Sequence, residues 1–119
     1  MEIKERGYGR MTIGGQERGF RVGTYQSKVF CDVRGIKLDQ FFEELEKFSF
    51  ANNMENNIWI CDYLYSALVA DCKFRKVEPD FEQDDVLFWV DAEGVTEEVA
   101  KLFVVMAEMK RNTPKKSDA

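Results

Sequence analysis

There is no histidine among the 119 residues, so the commonest zinc ligand and the commonest general base are both missing. Ser27 and Ser66 therefore have no imidazole to activate them. Cysteine is sparse: Cys31, Cys61 and Cys72 are odd in number and lack the paired spacing of a metal site. They are expected to be buried, reduced thiols within helices. No apolar run approaches the roughly 18 residues that span a membrane. The opening MEIKERGYGR has charges with no apolar stretch behind them, unlike a secretory leader. A protein of the cytoplasm is expected.

Glycine is present but not in the arrangements that hold phosphates. Gly7-Tyr8-Gly9 and Gly14-Gly15 are too short for a dinucleotide or nucleotide-binding loop, and no helix follows them directly to present its amides. The acids Glu82, Asp84 and Asp85 lack the glycine-containing loop of a calcium site and are better read as first-turn helix acids. No catalytic, cofactor or metal residue is assigned, and the chain is not expected to be an enzyme. The one enzymatic alternative is acid-base chemistry by carboxylates and tyrosines in a cleft.

Hydrophobic residues make up 45% and charged residues 33% of the chain, and a chain of this size forms a single core-bearing domain. The charge is uneven. Residues 1–28 carry six Lys or Arg against three acids, residues 110–119 four against one, and residues 29–109 seven against eighteen. An acidic body between basic ends repels phosphate backbones, so nucleic acid is not the expected partner. The basic ends suit an acidic surface, including that of another copy.

The longest helical pattern is the glycine- and proline-free stretch from Asn52 to Phe74. Ile58, Cys61, Tyr65, Leu68 and Cys72 recur at helical steps, with Ile60, Leu64, Ala67 and Asp71 in a second row, the pattern of a central helix packed on several sides. Asn52 and Glu55 have capping-box spacing.

Around that helix the chain reads in order. Residues 1–10 form a loose leader, followed by a β-hairpin over 11–22 that turns at Gly14-Gly15 and points Ile13, Phe20 and Val22 inward. A helix over about 24–34 places Tyr25, Val29 and either Phe30 or Val33 on one face and ends at Arg34-Gly35. The next, about 38–49, has the stripe Phe41, Leu45 and Phe48, widened by Phe42. After the central helix (53–74) and Pro79, Asp80 and Gln83 suit the start of a helix over 81–91 that holds Val86 to Val90. Thr96 caps a last helix over 96–110, with Val99, Leu102, Phe103 and Met106 inward, and 112–119 reads as a disordered tail. The expected fold is mainly α: a single five-helix domain over 11–111 with an N-terminal β-hairpin, α+β by strict count.

Ten Phe, four Tyr and two Trp are many for this size. The neighbours Phe41-Phe42 and Phe88-Trp89 sit about 100° apart on a helix, so one core has difficulty burying both members of each pair. Phe42, Phe88, Trp89 and Tyr25 are the candidate partner-binding residues, since aromatics anchor interfaces.

The order TIGGQERGFRVG, a helix ending Arg-Gly, GIKLDQFFEEL, a long helix with Asp62-Tyr63-Leu64-Tyr65-Ser66-Ala67-Leu68 at its middle, and PDFEQDDVLFWVD resembles the tail assembly chaperones of long-tailed phages and prophages. The likeness covers about residues 11–109, and Lys37 stands where such sequences more often have Thr or Ser. It implies a non-enzymatic protein of the host cytoplasm that coats the tape measure protein and keeps it soluble until tail tube protein displaces it. It carries no catalytic residue. Self-association into a homo-oligomer is compatible with it. The other reading of the same features is a small helical adaptor or regulator binding one protein partner.

Overall fold

In the computed structural model, residues 7–47, 54–94 and 96–112 are described, with side chains as far as Glu108. The order is β1 (Tyr8–Ile13), β2 (Gln16–Arg21), α1 (Thr24–Arg34), α2 (Leu38–Lys47), α3 (Met54–Arg75), α4 (Gln83–Glu93) and α5 (Glu97–Asn112). The expected five helices and hairpin are therefore present. The Asn52 cap, Phe48 and residues 113–119 lie outside the described residues; Asn112 itself ends α5.

Helix α3 is the axis. It is apolar nearly all round: Ile60, Cys61, Leu64, Ala67, Leu68 and Cys72 are buried, as are Trp59 and Tyr63, while Ile58 at its start is exposed and Tyr65 half-buried. Such a helix has no wet face to orient it, so three buried polar residues do so. Asp62 accepts from Arg34 of α1 and Gln83 of α4, both at 2.9 Å. Ser66 accepts from the Gln26 amide of α1 at 2.9 Å and donates to the Tyr63 carbonyl at 2.6 Å. Asp71, fully buried, accepts from Arg21 Nε of β2 at 3.0 Å and from Arg75 Nε at 2.9 Å. Together these contacts tie α1, α4 and β2 to the same helix.

The hairpin is longer than expected at its start, because Tyr8–Arg10 belong to β1 rather than to a leader. Gly7 accepts from Val22 N–H at 2.8 Å, and the Arg21 guanidinium lies 4.7 Å from the Tyr8 ring centre, which holds the strand end in place. Ile13 pairs with Gln16 across a two-residue turn whose Gly14 and Gly15 have φ of 64° and 80°, left-handed values suited to the strands' twist. Met11, Ile13, Phe20 and Val22 are buried. β2 rests on α3 and β1 on α5. Glu98 of α5 accepts from the Thr12 amide at 2.6 Å, and Glu93 of α4 from the Gly14 amide at 3.2 Å.

The inward face of α1 differs from the hydrophobic pattern. Phe30 is buried, but its companions are Gln26 and Cys31, while Tyr25 is 42% exposed and Val29 and Val33 are half-buried. The cause is Gln26, whose amide finds Ser66 and so occupies a core position that a count of apolar residues assigns elsewhere. The helix ends as expected at Gly35, φ 66°. Arg34 then reaches both Asp62 and Glu44; its Nε lies 3.2 Å from Glu44 Oε1 without hydrogen-bond alignment.

The cap of α4 also differs. Glu82, not Asp80, occupies the N-cap, and Asp85 Oδ2 accepts from the Glu82 amide at 2.8 Å. Asp80 instead takes Arg18 and Gln16 of the hairpin at 2.6 and 2.8 Å, a charged partner that outcompetes a neutral backbone amide. Thr96 caps α5 through the Val99 amide, and Val99, Leu102 and Phe103 are buried.

Candidate protein-docking surface

An aromatic cluster decides which of the large side chains are left outside. Phe30 contacts Phe41 and Trp59 with ring centres at 4.9 and 5.2 Å, and Tyr63 stacks on Trp59 at 5.2 Å and on Phe103 at 6.0 Å. Phe41 enters this cluster, so its neighbour on α2, about 100° round the helix, cannot. Phe42 is 53% exposed, and Leu38, one turn before it, is 52% exposed. α2 is held with this face outward because Glu44 accepts from Trp59 Nε1 at 3.0 Å.

Leu38 and Phe42 border a groove of about 520 Å³ between α1 and α2, floored by buried Cys31 and edged by Ser27, Lys28 and Asp32. Lys28 and Asp32 pair at 3.2 Å along α1. Glu43, next to Phe42, and Glu46, one turn after it, are exposed acids on α2. The site is thus an exposed apolar strip with acids alongside it.

The other aromatics lie elsewhere. On α4, Phe88 is 68% exposed, whereas Trp89 is half-buried. The Trp89 ring packs where a Cβ on Gly14 would sit, and the Arg18 guanidinium lies 4.5 Å from its centre, so Trp89 clamps the hairpin turn. Tyr25 lines a second pocket, of about 320 Å³, with Arg21, Lys73 and Phe74. The two hollows share Gly23 and Thr24 at the start of α1. Phe42 and Tyr25 thus flank one end of α1, and Phe88 stands on a different helix. Leu38, Lys73 and Phe74 carry no signal in the sequence stronger than their spacing: Leu38 is four residues before Phe42, and Lys73-Phe74 lie in the last turn of α3, just after its buried stretch.

Burial, with the charges of Asp62 and Asp91, pushes the Cys61 thiol up to about 11, and burial likewise raises Cys31, Cys72 and the Tyr63 hydroxyl. All three cysteines are therefore neutral thiols near pH 7. Asp62 and Asp71 are spent in ion pairs. No cluster of three potential metal ligands occurs among the described residues, and none of their helices is long and apolar enough to cross a membrane. No protein-family model, curated protein or solved structure matches the chain.

Proposed function

We propose that this protein is a tail assembly chaperone of a phage or prophage, which binds apolar stretches of a tape measure protein and keeps that protein soluble in the host cytoplasm until tube protein replaces it. The observation that carries the reading is the pair Leu38 and Phe42, both more than half exposed on one face of an otherwise acidic helix. Apolar side chains give contact with an aggregation-prone client. The acidic surface, part of a net charge of -5, gives coated complexes mutual repulsion. The resemblance in element order from the hairpin to α4 supports the same assignment.

Co-expression with a tape measure protein of the same phage or prophage tests this directly. The wild-type chain raises the soluble fraction of the client, and the double variant Leu38→Ser/Phe42→Ser abolishes the rise while its melting temperature stays within about 4 °C, since both side chains are more than half exposed. A client equally soluble with and without the chain refutes the proposal. A tight one-to-one complex with a different protein, and none with the tape measure, assigns the chain to the adaptor class instead.

A further inference from the structure

The groove between α1 and α2 has a chemistry finer than the exposure of Leu38 and Phe42. The described residues that line it belong to α1, to its cap Gly23 or to α2, so its walls are two helices. An extended segment laid there would bring unpaired amides against an apolar floor, whereas a helix pairs its own. Successive residues of α2 turn by about 100°, which places the charges round it. With Leu38 as origin, Phe42 lies about 40° round, Glu46 about 80°, Asp39 about 100° and Glu43 about 140°. All three acids are exposed. The core side is opposite: Phe41 and Leu45 lie at about 300° and 340°, and Glu44, at about 240°, meets Arg34 and accepts from Trp59. The exposed base Lys47 lies at about 180°, beyond the acids, and Lys37 precedes the first turn. On the facing helix Lys28 and Asp32 neutralise each other. The apolar strip therefore has three carboxylates along one flank.

We propose that this groove is a docking site for an amphipathic helix of a partner protein that carries Lys or Arg along one flank of its apolar stripe. The stripe covers Leu38 and Phe42, and the basic flank meets Asp39, Glu43 and Glu46. Exposed charges of this kind fix orientation and exclude wrong partners more than they add affinity, while the apolar contact supplies the hold. α2 is 10 residues long, about 15 Å, so the docked part of the partner is about three turns. The groove, about 520 Å³, takes a few side chains and not a folded domain. The inference rests on the reading of this face as protein-binding and adds the charge and secondary structure of what binds; it does not require the tape measure.

The test uses the full chain and three fluorescent fourteen-residue peptides, so it is independent of any natural client. One peptide has Leu and Phe at helical spacing with Lys beside them, the second has Glu in place of each Lys, and the third has the composition of the first with its apolar spacing scrambled. Anisotropy at 50 and 300 mM salt reads binding, circular dichroism reads peptide helicity, and amide NMR maps the contact. The expected result is that the Lys peptide alone binds, more weakly at high salt, gains helix, and shifts the amides of Cys31, Leu38 and Phe42 most. Glu43→Gln/Glu46→Gln weakens it about fivefold, as for two solvated charge contacts removed, and Glu43→Lys/Glu46→Lys transfers the preference to the Glu peptide. Leu38→Ser/Phe42→Ser abolishes binding. All four side chains are exposed, and melting curves verify that each variant is folded. The proposal is overturned if the Lys and Glu peptides bind alike, if the scrambled peptide binds as well as the first, or if shifts fall outside α1 and α2. It is also overturned if the Lys peptide binds only after Lys115→Ser/Lys116→Ser, which gives the groove to the chain's own basic end. A chain that solubilises the tape measure protein yet binds none of the peptides overturns this inference and leaves the proposed function standing.

Discussion

Asp71 offers the sharpest test of how the hairpin is held. Its carboxylate is fully buried and meets Arg21, whose side chain is 16% exposed, and Arg75, which is 49% exposed. The two pairs are not equal. The Arg75 contact is half in water and contributes at the surface level of about 0–1 kcal/mol. The Arg21 contact is the desolvated one, and replacing Asp71 by Asn leaves that guanidinium without its buried anion, a change that costs about 3–5 kcal/mol where burial is complete. Two effects reduce this: Arg21 keeps its place on the Phe74 ring, 3.7 Å from the centre, and the variant no longer has to desolvate a carboxylate. The expected loss is about 2–3 kcal/mol. With an unfolding entropy near 2.1 cal/mol/K per residue, that lowers the melting temperature by about 10 °C. Urea unfolding and calorimetry of Asp71→Asn measure it. Arg75→Ala should cost under about 1 kcal/mol, and Asp71→Asn/Arg21→Met should regain at least half the loss, because both charges then leave together. An Asp71→Asn protein within about 0.5 kcal/mol of wild type, or a double variant no more stable than the single one, refutes the assignment of the ion pair as the hairpin's anchor.

The turn supplies a paired comparison. At Gly14, φ is 64° and a Cβ would lie 2.4 Å from the Trp89 ring, whereas at Gly15, φ is 80° and a Cβ would meet nothing within 4 Å. Gly15→Ala therefore costs only backbone strain, about 1–2 kcal/mol, and Gly14→Ala costs that plus displacement of the ring, about 2–4 kcal/mol; denaturation and the Trp emission maximum distinguish them, and equal costs would contradict the Trp89 clamp. Acid should loosen the hairpin. Hydrogen bonds from Arg18 and Gln16 hold the Asp80 carboxyl below its usual range, and those from Lys101 and the Thr12 amide do so for Glu98. Groups depressed in the folded state stabilise it above their unfolded values, near pH 4, and lose that contribution as pH falls through the folded values. Melting temperature should be flat from pH 7 to about 5 and fall below pH 4, with a shallower fall in Asp80→Asn/Glu98→Gln; an unchanged slope would show that other groups govern the acid limb.

What periodicity and turn chemistry express was legible in the sequence. The Gly-Gly hairpin, the Gly35 stop, the Thr96 cap and the buried stripe of α5 each depend on residues within one turn of one another. The outward position of one member in each of the pairs Phe41-Phe42 and Phe88-Trp89 also followed from helix geometry alone. What escaped depends on partners far along the chain. Gln26 is buried because Ser66 lies 40 residues on, and Asp80 leaves the cap because Arg18 lies 62 residues back. The same holds for the site. Phe42 was identified by its neighbour, but which of Phe88 and Trp89 turns outward was settled by the Gly14 turn and Arg18. The grouping of Tyr25 with Lys73 exists only once α1 is laid on α3.

The Glu98 contact with the Thr12 amide bears on how a partner can be engaged. A two-stranded ribbon ordinarily invites a third strand along its open edge, and many peptide-binding proteins exploit this. Here the outward amide of Thr12, near the turn end of β1, is already taken by a carboxylate, and an incoming backbone would have to displace it to pair there. The exposed side chains of Leu38, Phe42 and Phe88 on the helices can be reached without that displacement. Protonating Glu98 would weaken this contact without abolishing it, because a neutral carboxyl still accepts from the Thr12 amide.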